Sequence, residues 1–221
     1  MMYSRLMDIY NRLLAHFGPR HWWPADTPFE MIVGAILTQN VSWRSASAAI
    51  ANIKDAGLLS LDGLLASGEE ELAVLLRPAR FHLQKARKLQ AFCKVIAEEF
   101  SGDLGAFLSQ DMQALRRRLL QIYGIGPETA DAIILYAAEK PIFVIDAYTH
   151  RIFHRLGYFG EKATYREMQD FFMKHLPPDV PLYNEYHAQI DALGHNICFK
   201  SRPRCEECPV FDLCKAKYRQ K

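Results

Sequence analysis

The chain has 221 residues, half of them hydrophobic, with a formal net charge of +2. That composition fills the core of one or two domains and excludes a disordered chain. No run approaches the ~20 apolar residues of a membrane span, and the near-neutral balance leaves any nucleic-acid surface to local clusters.

Tyr3 to Phe17 reads as an amphipathic helix with Leu6, Ile9, Tyr10, Leu13 and Leu14 apolar. Arg5, Asp8, Arg12 and His16 within it argue against a signal peptide, so a cytoplasmic protein is expected. His21-Trp22-Trp23-Pro24 is aromatic and non-helical. Thr27 and Glu30 form a capping box around Pro28, opening a helix over Phe29–Leu37 that is apolar nearly all round and therefore buried. Thr38-Gln39-Asn40-Val41-Ser42-Trp43 follows. Polar amides directly after a buried helix either bond nearby backbone or meet a partner.

Further helices are expected at Ser45–Ala56, Ser60–Ala66, Glu69–Leu76, Gln84–Phe100, Asp103–Leu108 and Met112–Ile122. Cys93 sits on the core face of the Gln84 helix. Arg77-Pro78-Ala79-Arg80-Phe81-His82-Leu83 is a loop. Beyond residue 146 the helices are Ala147–Leu156, Tyr165–His175 and Tyr183–Ile197, and Pro141–Ile145 is extended. The expected class is all-α.

Three basic groups stand out: Arg80, Lys85, Arg87 and Lys88; Arg116, Arg117 and Arg118; and Lys200, Arg202, Arg204, Lys215, Lys217, Arg219 and Lys221 in the tail. Singly each suits a solvated face. Together they suggest a phosphate-binding surface.

The centre of the chain is Leu119-Leu-Gln-Ile-Tyr-Gly-Ile-Gly-Pro-Glu-Thr-Ala-Asp-Ala-Ile-Ile, then Val144-Ile145-Asp146. Helix, tight turn, helix is the physical reading. Gly124 and Gly126 permit backbone forbidden to a Cβ, and Pro127 suits a first helical position. The turn serves either to join two core helices or to aim amides at an anion.

This stretch resembles the helix-hairpin-helix, Gly/Pro-rich loop and aspartate signature of the endonuclease III superfamily of DNA glycosylases. The resemblance covers nearly the whole chain. It implies a two-lobed fold, a six-helix barrel over 27–139 and a second lobe of 1–26 plus 140–221, with DNA across the cleft. The partner would be double-stranded DNA containing a damaged base, bound by a monomer, nucleoid-associated and without a membrane role. Gly124, Ile125 and Gly126 would hold a phosphate through backbone amides. Gln39, with Asn40, would enter the space left by a flipped base. Phe81, with His82 behind it, would be the wedge; local packing of Phe81 is the alternative.

Cys198, Cys205, Cys208 and Cys214 give C-x6-C-x2-C-x5-C. In a cytoplasmic chain such thiols imply a metal centre rather than disulfides, zinc being the generic choice. The spacing resembles that of the [4Fe–4S] cluster of endonuclease III-like glycosylases, ligated by four thiolates.

The resemblance also implies that Asp146 is the essential carboxylate, stabilising positive charge on the sugar as in glycoside hydrolysis. Its local alternative is a helix cap. Endonuclease III proper has a strand-cleaving lysine where this chain has Glu128, and a carboxylate forms no Schiff base. A monofunctional glycosylase is therefore expected. Trp22-Trp23-Pro24, Leu37-Thr38-Gln39-Asn40 with Trp43, Arg77-Pro78, Gln84-Lys85-Ala86 and the Glu-bearing hairpin resemble the 3-methyladenine DNA glycosylase III branch. Trp23, Pro24 and Trp43 would then form a pocket for a cationic alkylpurine; buried core aromatics are the alternative. Some members of that branch lack the cysteine tail, so the cluster does not argue for this substrate. The rivals are a glycosylase/AP lyase for oxidised pyrimidines or mismatches and a non-catalytic lesion-binding module.

Overall fold

The computed structural model describes residues 2–216; Met1 and the tail's Lys217, Arg219 and Lys221 lie outside the described residues. Twelve α-helices run through the described residues, with no strand. The chain divides into two compact units, Trp23–Lys140 and Met1–Trp22 with Pro141–Lys221. No helix among the described residues is long and apolar enough to cross a membrane.

The Trp23–Lys140 unit holds eight α-helices, each where a helix is expected: α2 (Pro28–Leu37), α3 (Trp43–Asp55), α4 (Leu61–Ala66), α5 (Glu69–Leu75), α6 (His82–Phe100), α7 (Leu104–Ser109), α8 (Met112–Leu120) and α9 (Pro127–Ala132). The short helices α4 and α7 are each started by a side-chain cap, Ser60 and Asp103. Only half of the expected capping box of α2 forms: Thr27 accepts from Glu30 N, but Glu30 reaches past the Thr27 amide and accepts from Asp26 N. Residues Glu30 to Leu37 are all buried, so α2 is the central rod of this unit. It packs on α3, on α6 and on the π-helical turn Ile133–Ala137 that continues α9.

In the other unit α1 (Met2–Phe17) and α10 (Ala147–Leu156) both pack on α12 (Val180–Asn196), and α1 also meets α11 (Tyr165–His175). Phe143 stacks on Phe172 at 4.2 Å, and Tyr186 donates to Leu6 O from the core. Gly194 of α12 faces the Tyr148 ring so closely that an added Cβ would stand 2.4 Å from Cδ1. That close approach fixes α10 against α12.

The extended segment ahead of Asp146 pairs with no strand. Ile142 to Ile145 are buried, and side chains bond two of their backbone groups. Gln169 donates to Phe143 O at 2.7 Å, and Ile145 N donates to the Tyr165 hydroxyl at 3.4 Å.

Candidate active site

Asp146 is the N-cap of α10. Its Oδ1 accepts from both the amide and the hydroxyl of Thr149, each at 2.6 Å. Oδ2 takes neither bond and stands 3.8 Å from Nε2 of His187 on α12. Both side chains are only 11% exposed. The cap holds the carboxylate through one oxygen and leaves the other on the His187 side. Nothing local in the sequence pairs position 146 with position 187; packing of α10 on α12 does so.

The hairpin differs from its sequence reading at Gly126 and at Ile125. Gly124 has φ +80° and does need a glycine, but Gly126 has φ −94°, which any residue adopts. A Cβ at Gly126 would meet open space. Ile125 is buried, and its amide already donates to Ile122 O, so it does not face outward. Arg116 of α8 grips the fully buried Asp131 of α9 through both oxygens, at 2.6 and 3.0 Å, and locks the two hairpin helices together. Glu128 lies exposed in the first turn of α9, where the helix dipole favours an acid.

Gln39 is half-buried and bonded to the hairpin: its Nε2 donates to Gly124 O and to Thr129 Oγ1, both at 2.9 Å. Lys88 of α6 donates to its Oε1 at 2.5 Å. Local bonds therefore account for this amide in the structure described. Asn40 is exposed with φ +58°. Phe81 is 54% exposed in left-handed backbone, φ +47°, immediately after Arg80 at φ +44°. It does not pack locally in the core. His82 is the first residue of α6, half-buried rather than in the loop.

The basic groups are less free than their sequence suggests. Arg87 pairs with Glu69, and Arg118 with Glu99 through both carboxylate oxygens. Lys85 is not on the surface at all: it is 2% exposed.

Trp23 and Trp43 meet edge to face at 5.4 Å, and Tyr136 joins Trp23 at 5.5 Å. Trp23 also lies over Gly34, whose lack of a side chain admits the ring. Pro24 is exposed beside them. Tyr136 escaped the sequence reading because it sits in an apolar run without helical period.

Cys198, Cys205, Cys208 and Cys214 line one cavity with Arg155, Ile197, Pro203 and Phe211. Burial pushes the Cys208 thiol up to about 11, and the other three thiols push the same way. The four stand around the cavity; no three His, Cys, Asp or Glu side chains among the described residues converge on a single-ion site. Arg151 donates to the carbonyls of Cys198 and Gly194, and Arg155 to Cys198 Sγ and to the carbonyls of Phe199 and Lys200. These arginines, four apart on α10, tie the helix that Asp146 opens to the cysteine loop. Their i, i+4 spacing was the available signal. Cys93 is buried in the other unit, its thiol raised to about 12 by desolvation.

Residues 33–178, which hold the hairpin and Asp146, match the HhH-GPD superfamily of base excision DNA repair proteins. The chain belongs to this superfamily. It is a DNA glycosylase of the HhH-GPD kind. A Methanocaldococcus jannaschii protein described as a candidate DNA repair glycosylase, MJ1434, is 43% identical over 97% of this chain and 98% of its own length. Endonuclease III of Sulfolobus acidocaldarius is 30% identical over 85% of this chain and 81% of its own. Among solved structures, the Helicobacter pylori 3-methyladenine DNA glycosylase MagIII bound to 1,N6-ethenoadenine superposes with a TM-score of 0.74. It is 29% identical, over 86% of this chain and 95% of that one. A non-covalent endonuclease III–DNA complex superposes at 0.84 over 97% and 96%, at 19% identity, which speaks for the HhH-GPD fold alone.

Proposed function

We propose that this HhH-GPD glycosylase is monofunctional and hydrolyses the N-glycosidic bond of alkylated purines, 3-methyladenine and 7-methylguanine, in duplex DNA. The observation that carries the reading is the division of labour within Asp146. One oxygen is fixed by the α10 cap, and the other remains to face the positive charge that develops on the sugar. The same oxygen can orient the attacking water. Glu128, exposed at the place of the strand-cleaving lysine, supplies no amine for a Schiff base.

The substrate class is supported by the Trp23, Trp43 and Tyr136 rings, whose π faces attract a positively charged base, and by the likeness to MagIII. Phe81 would wedge the duplex, Gln39 would fill the vacated space, and the amides of Gly124 and Gly126, without that of Ile125, would meet a phosphate. The four-thiolate donor set suits a [4Fe–4S] cluster held by Cys198, Cys205, Cys208 and Cys214. Such a cluster would cross-link the loop, since hydrolysis of this bond transfers no electron.

The test is chromatography of the bases released from methylated duplex DNA. Free 3-methyladenine or 7-methylguanine supports the reading; intact methylated DNA beside release of oxidised pyrimidines overturns it. A borohydride-trapped protein–DNA adduct would accompany that second outcome.

A further inference from the structure

The helix that follows the wedge carries a lysine that ought not to be buried. Lys85 lies one turn into α6, 2% exposed, with no carboxylate among its bonded partners. Its ammonium donates to two carbonyls: Leu37 O at 2.7 Å and Ala79 O at 2.5 Å. Leu37 ends α2 two residues before Gln39. Ala79 ends the 3-10 turn Arg77–Ala79, two residues before Phe81. One buried cation thus clamps the roots of the two segments proposed to enter DNA.

Three further observations point the same way. Arg80 and Phe81 both hold positive φ, a conformation that costs a residue with a Cβ about 1–3 kcal/mol and persists only when its surroundings impose it. The Phe81 ring is nevertheless exposed, so burial of the ring is not what imposes it. Lys88, three residues on, reaches Gln39 Oε1 and packs its chain against Gly124, where an added Cβ would stand 2.4 Å from Cγ. Desolvation, with a smaller push from Lys88, lowers the Lys85 pKa to about 8, so burying this charge works against folding.

We propose that Lys85 is a positioning residue for base extrusion: it sets the spacing between the Gln39 and Phe81 segments, so that wedge and gap-filler enter the duplex in register. This rests on the proposed function. Lys85 touches no DNA in this account and acts through the backbone of its two neighbours.

The test uses the full-length protein and a duplex with a tetrahydrofuran abasic-site analogue opposite 2-aminopurine. Insertion unstacks the 2-aminopurine and raises its fluorescence, whatever base the enzyme excises. Lys85→Met should lower the insertion equilibrium roughly tenfold or more, as misplacement by about an ångström does at a working site. Helix content and salt-dependent binding to undamaged duplex should stay at wild-type values. In a Phe81→Ala background, Lys85→Met should cause no further loss. Lys85→Gln, which can reach one carbonyl, should be intermediate and serves if the Met variant fails to fold.

Wild-type insertion by Lys85→Met, or a full additional loss in the Phe81→Ala background, overturns the proposal. A wild-type protein that excises methylpurines, with an insertion signal indifferent to position 85, defeats the Lys85 role alone. A wild-type protein with no insertion signal defeats the base-flipping reading and the Lys85 role with it.

Discussion

The guanidinium of Arg155 donates to the Sγ of Cys198 at 3.2 Å, while the backbone carbonyl of Arg155 accepts from the amides of Lys215 and Ala216 beyond Cys214. The last turn of α10 thereby holds both ends of the cysteine loop. Arg155→Met keeps the backbone bonds to Lys215 and Ala216 but frees the Cys198 end, and should lower the iron and sulfide of the proposed cluster several-fold per protein, with visible absorbance falling in proportion. Iron content equal to wild type would show that the cysteines hold their loop without Arg155.

Asp146→Asn keeps the cap, because the Asn side-chain oxygen can accept from Thr149 as Oδ1 does. Asn ranks with Asp as an N-cap, so stability should change by no more than about 0.5 kcal/mol. The charge proposed to face the sugar is lost, and excision should fall on the order of a thousandfold. Single-turnover excision, read beside affinity for lesion DNA, checks this. Equal loss of binding and excision would make Asp146 a structural cap only.

Asp131 has no solvent exposure and two bonds from Arg116. Removing one partner of a buried pair leaves the other charge poorly compensated, so Asp131→Ala should destabilise the protein by about 3–5 kcal/mol in denaturant unfolding. The hairpin should loosen with it. A loss below about 1 kcal/mol would mean that solvent reaches Arg116 freely.

Lys85 makes stability depend on alkaline pH. Its pKa is about 8 when folded, against 10.5 for an ordinary lysine. Below pH 8 both states are charged and the cost of burying the ammonium is fully present. Between about 8 and 10.5 the folded state sheds its proton first, so the unfolded state binds more protons and this group's contribution to stability rises with pH. The two carbonyl acceptors oppose the shift, so the rise is at most on the order of 3 kcal/mol. Unfolding free energies of wild type minus Lys85→Met should climb across that window; a flat difference would place Lys85 at its ordinary pKa.

Much of this was legible where local chemistry decides. Asp146 and Thr164 cap α10 and α11, and Gly157 stops α10 in left-handed backbone, so both helices begin and end where their sequences say. α12 starts earlier than expected because Pro181 sits in its first turn, where proline is tolerated. What was illegible depends on distant partners. Lys85 reads as surface charge until the carbonyls of Leu37 and Ala79 are brought to it. His187 is an ordinary helix residue until α12 packs beside α10. Tyr136 lies in a π-helical turn whose apolar run has no period to read.

The central claim is a hydrolysis at the glycosidic bond that leaves the strand whole. The most direct measurement is strand nicking on duplex DNA carrying methylated purines, scored by denaturing electrophoresis before and after alkali. The account predicts intact strands before alkali and nicks after it. Nicks before alkali, trapped by borohydride as a protein–DNA adduct, would contradict it and show that an amine elsewhere in the chain performs the lyase chemistry that Glu128 cannot.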